Sequence, residues 1–338
     1  MHAQGYWQTA WKRLWADKFA RACMAVLALY FAVAIAAAMG WVAADWNREV
    51  GVSYANPSWL SDYPNPQGQN SLAIREHVSV EPEARALDPL APFYDEIEER
   101  ARQYEESERD LQWTLPLGGD RWGHDILAKT IKAGQVSIAV GLAAALLAVL
   151  IGTSLGTLAG FLGRRVDDAL EWLYNVFTSV PYILLVLAFA AVLGKGIATV
   201  VLVLALTGWT GTYRLIRAEY IKQRSLEYVK AAEAIGASGA RRMIVHILPN
   251  VSHLMLVQLS QLVVEFIKAE AVLSFLGFGV PLHLVSWGIQ INDVITEMVL
   301  GKWWQFAATA VTMSVFVIAF GLFTDVLRDA LDPKTRRR

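Results

Sequence analysis

Little of this sequence is charged, and almost none of it is cysteine. Charged residues make up 18% of the 338, against about 25% in soluble domains. Cys23 stands alone inside an apolar run, which excludes an intrachain disulfide framework and leaves the redox compartment unread. No G-x-x-x-x-G-K-[ST] run is present, so nucleotide binding through a phosphate-cradling loop of that type is excluded. The six histidines are scattered, with His246 and His253 seven apart, and they read as structural side chains rather than metal ligands. No nucleophile motif accompanies them. What the chain has in abundance is apolar sequence, 55% of its residues. Its runs approach or exceed the roughly 20 residues that cross a bilayer core. These features describe an all-α polytopic membrane protein.

Six spans are predicted, at about Phe19–Ala44, Val136–Leu162, Leu173–Leu193, Ile197–Tyr213, Val251–Phe275 and Phe306–Leu327. Gly194-Lys195-Gly196 joins the third and fourth as a tight hairpin. Pro181 inside the third predicts a kink rather than a break, since neighbouring helices can satisfy the carbonyl it frees. Orientation follows from Lys and Arg near the span ends. Lys12, Arg13, Lys18, Arg164, Arg165, the seven bases from Arg214 to Arg242 and the Lys334-Thr335-Arg336-Arg337-Arg338 tail fall on one side of a six-span chain. The short connections opposite hold only Lys195 and Lys302. Both termini are therefore expected in the cytoplasm. A rival reading takes the first run and Ala36-Ala37-Ala38 as a cleavable secretory signal. That run is longer than a signal core and continues past Met39, so a retained first helix is preferred.

Charge is unevenly placed. Residues 45–125 carry 17 acids against 7 Lys and Arg, a balance of −10, and the rest carries 14 against 23, a balance of +9. With Pro57, Pro64, Pro66, Pro82, Pro89 and Pro92, much of 45–115 reads as turn and extended chain. Its DEIEERARQYEESERDL stretch can form a helix with Ile97, Ala101, Tyr104 and Leu111 near one face. The expected organisation is an N-tail and first helix over 1–44, an acidic external insertion with its lead-in over 45–130, and a core of five membrane helices over 131–338. The core contains a cytoplasmic loop at 214–248. The insertion reads first as a solvated acidic cap and second as a docking surface. Asp325, Arg328, Asp329 and Asp332 read as pairing at the inner end of the last span.

Within the cytoplasmic loop, EYVKAAEAIGASGARRMIVHILPN runs from Glu227 to Asn250 between two apolar stretches. Ser225 is a candidate cap, and Glu227 suits the macrodipole of a first turn. Tyr228, Ala231, Ala232 and Ile235 recur at i, i+3, i+4 and i+7 and form one apolar face. Its two alanines would let another surface approach the helix backbone. Gly236 suits the C′ position. Ser238 can cap a second helix over Gly239–Ile247, and Pro249 fits the first turn of the fifth span. A DNA-binding helix-turn-helix has the same outline. Spans within a few residues of both ends would keep the second helix out of a major groove, so no nucleic-acid partner is expected. A plain solvated loop would not need the stripe.

This segment resembles the cytoplasmic signature of ABC importer permeases, E-A-A-x-x-x-G followed after a fixed gap by I-x-L-P. The chain has Lys230-Ala231-Ala232, Gly236 and His246-Ile247-Leu248-Pro249-Asn250, with Lys230 in place of the glutamate and His246 in place of isoleucine. The H-I-L-P-N ending resembles the oligopeptide/dipeptide/nickel branch. Leu115–Gly141, LPLGGDRWGHDILAKTIKAGQVSIAVG, resembles the P-L-G-T-D-x-x-G-R-D-x-x-S-R segment of that branch's C-type permeases, with departures at Gly119, His124, Ala128 and Lys129. Ser274–Pro281, Ser286-Trp287-Gly288 and Leu327–Pro333 match as well. The resemblance covers about 115–338 and the first span, and omits 45–115.

What the resemblance implies is a type I ABC importer permease fold of six transmembrane helices, here with a long external insertion after the first. The helix pair would be the coupling element, with Glu227, Tyr228, Ala231, Ala232, Ile235 and Gly236 at a groove on a cytoplasmic ATPase. Expected partners are a second permease subunit, two ABC ATPases, an external solute-binding protein and the lipid bilayer of a bacterial inner membrane. This chain would be non-catalytic and bind no cofactor, with ATP and Mg on the ATPases. Di- or oligopeptides are the expected solute, and nickel or another small solute is the alternative. A stand-alone secondary transporter is the rival from another class, but the repeats such proteins show are not evident.

One stripe remains. Gln258, Gln261, Glu265 and Lys268 are spaced 3, 4 and 3 along the fifth span and share a face. Polar groups in a span face a bundle interior or a watery cavity. The stripe therefore either lines the solute pathway or packs against neighbouring helices, with Glu265 and Lys268 paired at i,i+3. The resemblance favours the pathway. Glu270 lies off the stripe and reads as an interface or outer-gate residue.

Overall fold

The first apolar run folds as α1 (Lys18–Ala38) between two stops written in the sequence. Asp17 accepts from Phe19 N at 2.7 Å and from Ala20 N at 3.4 Å, satisfying donors that the first turn leaves open. At the other end Gly40 adopts φ +74°. Gly40 and Trp41 donate back to the Ala37 and Ala36 carbonyls, a Schellman stop that ends the helix before the expected Ala44. The alanines that resemble a cleavage site form its last turn. This computed structural model describes residues 11–60 and 111–331, apart from 13 and 282. The acidic helix expected ahead of Leu111 and the basic tail lie outside them.

The helices that follow are α2 (Ile126–Leu162), α3 (Arg164–Thr178), α4 (Tyr182–Leu193), α5 (Ile197–Gly208), α6 (Thr210–Arg224), α7 (Glu227–Ala234), α8 (Gly239–Arg241), α9 (Leu248–Phe275), α10 (Trp287–Val299) and α11 (Trp304–Leu331). A π-helical stretch, Arg242–Ile247, joins α8 to α9. Among the described residues four segments are long and apolar enough to cross a bilayer: α1, α2, the continuous Gly239–Phe275 and α11. Two bent pairs reach that length together, α3 with α4 at 89° and α5 with α6 at 42°. Counting each pair as one crossing makes six.

The 89° bend corrects the kink expected at Pro181. Thr178 and Ser179 hydroxyls donate to the Tyr174 and Val176 carbonyls at 3.0 and 2.8 Å, taking up acceptors at the end of α3. Val180 precedes a proline, which disfavours helical backbone. Pro181 then caps α4. The chain breaks here because the carbonyls are satisfied locally and need no continuation.

The described residues form two units, one from Met1–Val42, Ile131–Asp293 and Thr309–Arg338, the other from Ala43–Thr130 and Val294–Ala308. In the first, glycine decides the packing. A Cβ on Gly152, Gly156 or Gly160 would lie 2.6, 2.7 and 2.7 Å from the carbonyl oxygens of Trp209, Tyr213 and Arg217. The two series advance together by four residues, so α2 runs beside the start of α6 with backbone against backbone. Small residues at this spacing are how membrane helices gain close packing without a hydrophobic driving force. α3 closes over the seam. Its Leu170, Leu173, Tyr174 and Phe177 pack on Ala159, Trp209 and Tyr213, and its Asp167 takes both ends of the Arg217 fork at 2.5 and 2.9 Å. Elsewhere in this unit α11 packs on α1 through Tyr30, Phe31, Phe316 and Phe320.

The second unit holds a short parallel pair, β1 (Gly51–Pro57) and β2 (Gln112–Leu115). Beside it Asp120 is fully buried. Its carboxylate accepts from Trp122 N at 2.8 Å, His124 N at 3.0 Å and Lys129 Nζ at 2.8 Å, and His124 Nδ1 lies 3.0 Å away. His124 and Lys129 are two of the departures from the resembling pattern, where arginines stand. Both replacements keep a basic group against Asp120.

Two expectations follow. Gly156→Ala puts a methyl against the Tyr213 carbonyl and should destabilise the protein by about 1–3 kcal/mol. Gly211→Ala, with open space around it, should be neutral or stabilising by about 0.5 kcal/mol. Thermal unfolding in detergent checks this, and equal effects would contradict the close approach. For Asp120, burial alone would raise the pKa. The His124 hydrogen bond and the Lys129 charge outweigh burial and hold the carboxyl well below its usual range. Its stabilisation is therefore complete above about pH 4 and lost only as pH falls below that toward its folded value. Asp120→Asn should speed amide exchange at 118–124 at neutral pH, and the difference from the parent should shrink in strong acid. A variant that exchanges like the parent at pH 7 would refute the role.

Candidate functional site: the helix pair and the span-five stripe

The helix pair is built from α7 and α8. Leu226 starts α7 in extended backbone with no side-chain cap, so Ser225 does not cap it as expected. Ser225 instead ends α6, its hydroxyl donating to the Lys222 carbonyl at 2.7 Å. Glu227 lies in the first turn. Gly236 takes φ +86°. Gly236 and Ala237 donate to the Glu233 and Ala232 carbonyls, the Schellman geometry expected of a C′ glycine. Ser238 accepts from Arg241 N at 3.3 Å and caps α8.

The apolar face divides in two. Ala232, 5% exposed, turns inward with Val229. Val229 belongs to a core of Ile216, Tyr220, Ile247 and Val251. Tyr228, Ala231, Ile235 and Gly236 face out, Ile235 at 85% exposure. The expected single stripe is thus corrected: Val229 and Ala232 form the seat, and Tyr228, Ala231 and Ile235 form the outer face. An i,i+3 pair at 229 and 232 was legible in the sequence, but an eight-residue helix with apolar residues on both sides has no pattern that ranks them. Ile244 and Val245, both more than half exposed, add apolar surface on the second arm. Lys230, which replaces a glutamate of the resembling signature, is exposed.

Polar contacts fix the seat. Tyr228 donates to Gln223 Oε1 at 2.7 Å, and Asn250 Nδ2 donates to the Tyr228 hydroxyl at 3.2 Å and to the His246 carbonyl at 2.9 Å. Arg224 donates to the Phe161 carbonyl at 2.8 Å, and Arg242 pairs with Glu233 and lies over the Phe161 ring. Asn250 is the residue that sequence reasoning missed. Its only signal was its place at the end of H-I-L-P-N.

Pro249 falls in the first turn of α9, as expected, but no break separates that turn from the second arm. Gly239–Phe275 is continuous, and the wider turn over Arg242–Ile247 absorbs the proline. Leu248 N bonds to the Met243 carbonyl five residues back, and the Tyr220 hydroxyl donates to the same carbonyl at 3.2 Å. The second arm of the pair is therefore one piece with the membrane helix.

Along that helix Gln258 and Gln261 are half-buried, and Gln258 Nε2 donates to Gln261 Oε1 at 3.1 Å. Glu265 and Lys268 are exposed. Among the described residues no ion pair joins them, contrary to the packing alternative. The interface reading of Glu270 is corrected: it is not at a surface but fully buried within this chain.

These elements define a multi-pass α-helical membrane protein in which the helix pair is continuous with a membrane helix. Residues 148–337 match the family described as binding-protein-dependent transport system inner membrane component, and residues 5–56 match the N-terminal TM domain of oligopeptide transport permease C. The chain belongs to that family of inner membrane transport components. It is 35% identical over 229 residues to the dipeptide transport system permease protein DppC of Bacillus subtilis, covering 66% of this chain and 72% of that one. It is 36% identical over 221 residues to the oligopeptide transport system permease protein OppC of the same organism, covering 65% and 72%. With the dipeptide transport system permease protein DppC of Lactococcus lactis subsp. cremoris it shares 28% identity over 334 residues, 98% of this chain and 92% of the other. That last match takes in the acidic stretch that the sequence resemblance omits.

Proposed function

We propose that this chain is one of two permease subunits forming the membrane pathway of an ATP-driven importer of di- or oligopeptides. The similarity to dipeptide and oligopeptide permease proteins carries the choice of peptide over nickel. Family membership in a binding-protein-dependent system favours an assembled importer over a stand-alone transporter. In this reading two cytoplasmic ATPases bind ATP and Mg, a solute-binding protein delivers the peptide outside, and this chain is non-catalytic and carries no cofactor. Both termini are cytoplasmic.

The outward face of α7, with Tyr228, Ala231, Ile235 and Gly236, is the ATPase contact. Glu227 and Ala232 act through it, the first at the helix start and the second in the seat. ATP-driven closure would push on the hairpin, and the continuous Gly239–Phe275 helix would carry the displacement into the membrane. Gln258, Gln261, Glu265 and Lys268 line the pathway. Charged groups exposed on a span cannot rest in lipid at low cost, and Glu265 and Lys268 have no counter-charge on each other. One acid, one base and two amides would pass a peptide with charged ends without holding either end tightly.

Ile235→Glu should leave the hairpin folded and reduce ATPase co-purification and stimulated ATP hydrolysis about tenfold, whereas Ala232→Glu should unseat the hairpin and speed its amide exchange. Normal coupling in the Ile235 variant would reject the contact. For orientation and pathway, single cysteines at Ser58, Ser238 and each position from 258 to 268 are compared in a Cys23→Ser background. An impermeant thiol reagent should reach 58 and 238 from opposite sides. Reactivity in the span should follow 258, 261, 265 and 268 and change when ATP is trapped. Labelling of 58 and 238 from one side would reject the orientation, and uniform protection of the four would reject the pathway.

A further inference from the structure

The conspicuous buried group outside this machinery is Glu270, with no exposed surface. Among the described residues no lysine, arginine or histidine forms an ion pair with it, and the groups that act on it are three serines, Ser274, Ser137 and Ser286. Ser274 donates to Oε1 at 2.6 Å and Ser137 to Oε2 at 2.7 Å. A hydroxyl has one proton to give and lone pairs to receive. Each of these serines, while serving the carboxylate, accepts from a backbone N–H. Val280 N donates to Ser274 Oγ at 3.2 Å, Trp287 N to Ser137 Oγ at 3.2 Å, and Ile289 N to Ser286 Oγ at 3.3 Å.

The arrangement is a relay in which backbone donors reach one carboxylate through serine hydroxyls, by direct hydrogen bonds at Ser137 and Ser274 and with Ser286 beside them. Trp287 N and Ile289 N belong to the first turn of α10, whose open N–H groups carry the positive end of the helix dipole. Backbone dipoles thus point toward the carboxyl where no side-chain cation pairs with it. The serines come from three places: Ser137 from α2, Ser274 from α9 and Ser286 from the residue before α10. Close packing surrounds them. A Cβ on Gly279 would lie 2.0 Å from Ser274 Oγ, and one on Gly288 would lie 2.5 Å from the Ala271 carbonyl. The SFLGFGVP and SWG stretches, which the coupling and pathway readings leave unused, are the walls of this site.

We propose that Glu270 is a positioning residue of the transport cycle: through Ser137, Ser274 and Ser286 its carboxylate locks α2, the far end of α9 and the start of α10 into one block. That block moves as a unit when the π turn and the hairpin are displaced at the other end of the same helix. The proposal rests on the transport reading above and is independent of which solute is carried.

The test uses the assembled transporter with spin labels at Leu146 on α2 and Val272 on α9, both exposed. In the parent, their distance distribution should stay the same between nucleotide-free and ATP-trapped states. Glu270→Gln removes the charge and turns an amide donor toward hydroxyl donors. It should make the distribution broaden or shift on ATP trapping and should speed amide exchange at Val280, Trp287 and Ile289 about tenfold. Glu270→Asp, which keeps the charge, should fall between. Ser286→Ala, which removes one arm and leaves two, should show the same local exchange if Glu270→Gln fails to assemble. Peptide uptake per ATP hydrolysed should drop about tenfold in the variants that lose the fixed distance. A parent distance that changes as much as the variant's would overturn the block, and so would unchanged exchange in both variants. Loosened exchange with full uptake per ATP would reduce the site to ordinary packing. If the parent carries no tested peptide, the substrate reading fails, while distances and exchange still decide the lock.

Discussion

Backbone contact between α2 and α6 is the constraint on which the rest of the larger unit depends. Gly152, Gly156 and Gly160 present nothing but hydrogen to the Trp209, Tyr213 and Arg217 carbonyls. That contact sets where Tyr220 and Ile216 lie, and these two form the floor on which Val229 and Ile247 seat the helix pair. It also brings Arg217 within reach of Asp167 and Glu171 on α3, so the polar clamp depends on the glycine seam. In a lipid environment, where apolar burial between helices gains little, such geometric fit carries much of the association.

The hairpin is stiff for reasons that are local. A Schellman turn at Gly236, a serine cap at Ser238 and the Asn250 bond to the His246 carbonyl leave few backbone groups unsatisfied. The π turn converts what would be a proline-marked junction into a continuous helix. Wide turns of this kind recur at functional sites because they re-aim a helix without cutting it. Glu270 near its far end gives that helix a fixed attachment to α2 and α10.

Much of the architecture was legible beforehand because lipid imposes simple rules. Run length and proline and glycine placement act locally, and they pointed to six spans with a helix pair between the fourth and fifth; the permease class came from the resemblance carried by Lys230–Asn250 and Leu115–Gly141. The caps at Asp17, Gly236 and Ser238 follow from side-chain chemistry within three or four residues. Pro181 was misjudged because its effect depends on whether nearby hydroxyls satisfy the released carbonyls, and Thr178 and Ser179 do so. Ser225 was misassigned because a serine between two helices can end one or start the other, and only the backbone angles at Leu226 choose.

The sequence by itself determined the class of protein, the approximate spans, the existence of the hairpin and the polar stripe at 258, 261, 265 and 268. These are properties of spacing and composition, carried by contacts short in sequence. Tertiary structure alone decided which face of α7 is seat and which is surface. It also turned Glu270 from an apparent interface group into a buried hub, and it gave the glycines of α2 their meaning. Each of those depends on what stands opposite, and the partner lies tens to more than a hundred residues away: Gly156 meets Tyr213, and Ser137 meets Glu270. No periodicity within a helix encodes the identity of the group across the gap, because that identity is set by how the chain returns.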